Sequence, residues 1–215
     1  MHPIISIVGR SKTGKTTLLE ALIAELKSRG YRLATIKHSA EDVEFDKADK
    51  DTWRFTRAGS DLSAISSRSK LAVFKDLDYD FDPLDLARFI CWDYDLILTE
   101  GFKKRGFPKI EVHRNGDELI SPPEQLLAVV TGELLEVGVP QFSPRQVKEI
   151  ASLVEEWLKH RPAARLDLVV NGEVVPLSEE QGEAISGALR AALSGIKGIN
   201  EIKSLRLSLR RDLDI

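Results

Sequence analysis

One short run, Gly9-Arg10-Ser11-Lys12-Thr13-Gly14-Lys15-Thr16, constrains what this chain can fold into more than any other part of it. It has G-x-x-x-x-G-K-T spacing, and its flanks suit that spacing. Ahead of it Ile4-Ile5-Ser6-Ile7-Val8 is apolar and largely β-branched, as a buried strand is; behind it Leu18, Leu19, Leu22, Ile23 and Leu26 recur at helical intervals. A strand, a glycine loop and a helix in that order aim a row of backbone N–H groups and the positive end of the helix at one point, which favours phosphate. Lys15 is then placed to reach the β and γ phosphates of a nucleoside triphosphate, and the Thr16 hydroxyl to ligate magnesium. The rest of the loop, with Thr17 on the first helical turn, wraps the phosphate chain.

The pattern that follows extends this unit into a layered domain. A short strand is expected over residues 32–36, running into Lys37-His38, and completes a βαβ unit. An acid-rich loop over 39–51 leads to a helix over 52–58 stopped by Gly59. Strands are expected at 62–66, 71–74, 96–99, 110–112 and 127–130, with helices at 83–91, begun by Asp82, and at 145–159. Val147, Ile150, Ala151, Val154, Trp157 and Leu158 fall on one face of the last. Alternating helices and strands imply an α/β fold of P-loop type, a mostly parallel sheet covered by helices on both faces, over residues 1–162.

Residues 163–215 change character. An Asn171-Gly172 turn joins apolar runs at 166–170 and 173–176. Ser178 with Gln181 three residues on opens a helix, and 202–210 alternates leucine with serine and arginine. A ββαβ accessory domain is expected, its last strand with a basic face suited either to an anionic partner or to solvent.

Composition excludes several classes of function. The formal net charge of -3 in 215 residues argues against nucleic acid as a general partner. The single cysteine, Cys91, cannot form an internal disulfide, and the four histidines have no metal-ligand spacing. No run has the length of a membrane span, and the N-terminus leads directly into a strand, so a cytoplasmic protein with no membrane partner is expected.

A phosphate loop of this kind works with a carboxylate at the end of a neighbouring strand, which helps to hold the magnesium. Glu100 follows the apolar run 96–99, and Gly101 after it permits a tight turn; Asp46, in the acid-rich loop, is a second candidate ligand. Lys37, His38 and Lys103 stand at the same edge, where they suit contact with a γ-phosphate, a substrate or a partner. Lys103, Lys104, Arg105 and Lys109 together form a basic cluster or an exposed charged loop. With Lys15 and Glu100 as the reacting centre and no evident general base, the pattern fits a slow nucleotide switch. Two alternatives use the same loop: a small-molecule kinase, and a nucleotide-gated metallochaperone, against which the scattered histidines count.

The ordered series Gly9 to Thr16, Thr35-Ile36-Lys37-His38, Asp46-Lys47, Lys50-Asp51-Thr52-Trp53-Arg54, Ala58-Gly59, Thr99-Glu100-Gly101-Phe102-Lys103 and Pro108-Lys109-Ile110-Glu111-Val112 resembles the molybdopterin-guanine dinucleotide biosynthesis protein B (MobB) family. The resemblance runs from about residue 3 to 158. It implies a dimeric protein that binds GTP with Mg2+, hydrolyses it weakly, and assists the MobA-type guanylyltransferase that attaches GMP to molybdopterin in molybdenum cofactor biosynthesis. By the same resemblance Gly9, Arg10, Ser11, Lys12, Thr13, Gly14, Lys15 and Thr16 hold the triphosphate, and Thr16 and Glu100 the metal. Related nucleotide-dependent maturation factors often have a lysine directly after the first loop glycine, which reaches across the dimer to the partner's phosphates; here that position is Arg10. The chain departs from the family pattern at Thr131-Gly132, where an acid able to read guanine commonly follows the threonine, and in its extension beyond residue 162.

Overall fold

The computed structural model describes residues 3–39, 41, 43–77, 82–90, 94–161, 168–170, 173–175 and 177–196. The chain divides into two compact units, His2–Val154 and Glu155–Ile215.

The first unit is built on β1 (Ile4–Val8), α1 (Lys15–Ser28), β2 (Leu33–Lys37), α2 (Asp51–Arg57), β3 (Ser63–Ser66), β4 (Leu71–Phe74), α3 (Pro83–Ile90), β5 (Leu96–Glu100), β6 (Lys109–Val112), β7 (Leu126–Val130), β8 (Gln141–Phe142) and the start of α4 (Val147–Lys159). Six of these strands form one sheet in the order β2-β5-β1-β6-β7-β8, and every pairing in it is parallel. The central strands lose all water contact, which is why their sequences are apolar without alternation: Ile5, Ile7, Val8, Leu96, Ile97, Leu98, Ile110, Ala128, Val129 and Val130 are fully buried. α1 packs on β1 and β5 with Leu18, Leu19, Leu22 and Leu26 buried. Ala87 of α3 closes a cluster with Ile4, Ile36, Ile97 and Phe102. One polar pair sits among them: the Thr99 hydroxyl donates to Ser6 Oγ at 2.8 Å, so two buried hydroxyls on adjacent strands satisfy each other.

The parallel α/β architecture agrees with the expectation, and the element ends differ from it by one or two residues. The antiparallel hairpin β3-β4 stands outside the main sheet. β8 has no counterpart in the sequence reading, because two residues are too short to show a period.

In the second unit β9 (Leu168–Val170) and β10 (Glu173–Val175) pair antiparallel, followed by α5 (Glu179–Ser194). Ser178 caps α5 in a reciprocal capping box with Gln181, as the spacing predicts. The expected boundary at Pro162, the Asn171-Gly172 turn and the strand over 202–210 lie outside the described residues.

Candidate nucleotide site

The phosphate loop leaves the carboxyl end of β1 between its two neighbours, β5 and β6. Gly9 has φ 149°, and a Cβ there would lie 2.4 Å from the Val112 carbonyl oxygen, so the loop passes β6 at a distance that only glycine allows. Gly14, at φ 91°, turns the chain into α1. Within the loop Lys15 Nζ donates to the Arg10 carbonyl at 2.6 Å and the Thr13 hydroxyl to the same oxygen at 3.1 Å. Ser11 and Lys12 are exposed at the tip, Lys12 in a left-handed conformation, and Thr17 is exposed on α1.

Register brings the carboxylate to this loop. Glu100 is the last residue of β5, level with Ile7 of β1 on one side and Lys37 of β2 on the other. Its Oε2 accepts a 2.9 Å hydrogen bond from the Thr16 hydroxyl, and its Oε1 lies 3.4 Å from Lys37 Nζ. A hydroxyl and a carboxylate side by side are hard oxygen donors, and that pair fits a magnesium ion. Burial pulls the Lys15 pKa below its usual value, Glu100 opposes this, and Lys103 and Lys37 add to it, so three of the expected cations share one field. Behind Glu100, Gly101 and Phe102 take successive left-handed conformations, and the Phe102 ring stacks on His38 with centroids 4.7 Å apart.

Two expected residues stand elsewhere. Asp46 accepts from the Thr52 hydroxyl at 3.0 Å, and among the described residues no bond joins it to Thr16 or Glu100. Lys109 does not belong to an exposed basic cluster: it is fully buried, with its ammonium donating to the Arg105 and Phe107 carbonyls and to Gln125 Oε1. A lysine's stem packs readily in an interior when carbonyls are at hand for its head. No group of three or more metal-ligating side chains occurs among the described residues.

A second brace around the loop comes from residues 113–117, which no motif in the sequence marks. Arg114 Nη2 donates to the Ser11 carbonyl at 2.7 Å, and Arg10 Nε lies 3.3 Å from Asp117. Glu133, just past β7, accepts from the Gly116 N–H at 2.8 Å and lies 3.1 Å from His113 Nε2. The Gly116 bond, then His113, hold the Glu133 pKa below the usual carboxylate value. Polar residues around an Asn-Gly turn look like any solvated loop, so only the contacts reveal the brace.

The family model described as molybdopterin guanine dinucleotide synthesis protein B matches residues 4–132. The chain is 37% identical to the molybdopterin-guanine dinucleotide biosynthesis adapter protein of Haemophilus influenzae, over 76% of this chain and 93% of that one. To the adapter protein of that name from Escherichia coli it is 33% identical, over 74% and 95%. A crystal structure of molybdopterin-guanine biosynthesis protein B superposes with a TM-score of 0.55 at 30% identity, covering 73% of this chain and 99% of the other. With the phosphate loop, the parallel strand order and these likenesses in agreement, the chain belongs to the MobB family of molybdopterin-guanine dinucleotide biosynthesis adapter proteins.

Proposed function

We propose that this chain binds GTP at the loop of residues 9–16, hydrolyses it slowly, and acts as a homodimeric adapter for the guanylyltransferase that forms the guanine dinucleotide of molybdopterin. The observation that carries this reading is the Thr16 hydroxyl 2.9 Å from the Glu100 carboxylate, one residue from Lys15. Thr16 and Glu100 would hold a magnesium ion, which offsets negative charge on the β and γ oxygens when bound. Lys15, released from the Arg10 carbonyl, supplies a second positive charge to the same oxygens. Lys37, exposed over much of its side chain, and Lys103 stand within its field for the terminal phosphate. Both Glu100 oxygens are engaged, one by Thr16 and one by Lys37, so the carboxylate holds and orients and does not serve as a base for water. That arrangement favours retention of the triphosphate over rapid turnover.

Calorimetric titration with GTP, with and without magnesium, tests the site, and formation of the guanine dinucleotide by the partner guanylyltransferase tests the role. Magnesium-dependent binding and faster product formation on adding this protein are expected. Absence of GTP binding, alone and with the partner enzyme, would overturn the reading.

A further inference from the structure

The nucleoside end of a bound triphosphate has one direction open to it. Glu100 and Lys37 lie on the β5 and β2 side of the loop, the side that the proposed function gives to the terminal phosphates. The chain of phosphates therefore leads away over the other side of β1, the carboxyl ends of its neighbour β6 and of β7 beyond it. Two segments meet there, residues 113–117 and 131–133. His113 N donates to the Val130 carbonyl at 2.9 Å, and Glu133 ties Gly116 to the end of β7. On the loop side Arg114 grips Ser11 and Asp117 pairs with Arg10. Asn115 lies in the middle of this doubly anchored turn. Its amide is exposed and makes no hydrogen bond among the described residues. It stands over Gly132, where a Cβ would come within 3.2 Å of Oδ1 and 3.4 Å of Nδ2. A side chain at position 132 would compete for that space, and glycine leaves it to the amide.

We propose that Asn115 reads the purine of the bound nucleotide, pairing its amide with the N1 and six-position groups of the base and leaving the two-position unread. This rests on the nucleotide reading above. A carboxamide presents one acceptor and one donor side by side, which match the N1–H and O6 of guanine. Turned over, the same amide meets the six-amino group and N1 of adenine. A carboxylate at this point would accept twice and match guanine's N1–H and two-amino group together. Asn115 therefore recognises a purine through a pattern that inosine shares with guanine, and it separates guanine from adenine only weakly.

The test is calorimetric titration of the full chain with GTP, ITP and ATP, in the wild type and in Asn115→Ala and Asn115→Asp, with circular dichroism confirming each variant's fold. In the wild type GTP and ITP are expected to bind within about twofold of each other, and ATP within about tenfold, since the bidentate contact made is the same for each. Asn115→Ala should weaken GTP and ITP alike by about tenfold, and Asn115→Asp should create a preference of about tenfold for GTP over ITP. GTP binding that is unchanged in Asn115→Ala, or a wild type that prefers GTP to ITP by more than about tenfold, overturns the assignment of Asn115 and leaves the nucleotide site intact. Failure of all three triphosphates to bind, alone and with the partner guanylyltransferase, overturns both.

Discussion

Lys15 is held half-buried over a carbonyl oxygen of its own loop, with its positive charge opposed by burial and by Lys37 and Lys103. On the proposed nucleotide reading, removing it takes a charge-assisted contact from the triphosphate without emptying the core. Lys15→Ala is expected to keep the fold and lose about a hundredfold in GTP affinity, read by calorimetry. An affinity equal to the wild type in a folded variant would place the phosphate elsewhere. Lys109 is the contrasting lysine. Its stem fills the interior beneath β6, and its head satisfies two carbonyls and the Gln125 side chain. Lys109→Met keeps the volume and strands three part-buried acceptors. A loss of about 3 kcal/mol is expected in urea unfolding. Stability equal to the wild type would mean that water replaces the ammonium.

At the scale of elements, the turn between β6 and β7 is stabilised by charged groups, which gives it a pH signature. Gly116 N–H and His113 favour the ionised form of Glu133, so its pKa is lower folded than unfolded. Above the unfolded value, near 4.5, the carboxylate is ionised in both states and its contribution is fully present. As pH falls, the unfolded chain takes up its proton first, and the contribution is lost on passing through the lower folded value. Urea midpoints measured from pH 7 down to about 3 should therefore fall more steeply in the wild type than in Glu133→Gln. Parallel profiles would show that the bond to Gly116 adds nothing in solution. The same turn shows what the sequence conveyed and what it hid. β1, the glycine loop and α1 are legible because each carries its own period or spacing within a few residues. Glu100 is legible because an acid between an apolar strand and a glycine has few places to go. Arg114, Asp117 and Glu133 are not legible, because their meaning depends on register between strands that are remote in sequence. Glu111 is a further case. It is a charged residue in a strand with almost no exposure, stapled to the backbone N–H groups of Ile120 and Ser121 at 2.8 and 2.9 Å. Nothing beside it in the chain announces those donors.

For the whole molecule, the parallel sheet followed from the alternation of strands and helices and the family from an ordered series of motifs, and the extension beyond residue 162 did not follow from that series. The strand order has another consequence, for the time at which the site comes into being. β1 lies between strands that begin at residues 96 and 109, and the hydroxyl of Thr16 bonds a carboxylate 84 positions later. During synthesis the glycine loop leaves the ribosome long before either neighbour of its strand exists, and distant pairings of this kind form slowly. A stalled nascent chain that exposes only residues 1–94 contains every residue of the loop and is expected to capture no GTP, whereas one exposing residues 1–161 should. The part of this protein that is easiest to recognise is made first and becomes competent only after strands far behind it in the sequence.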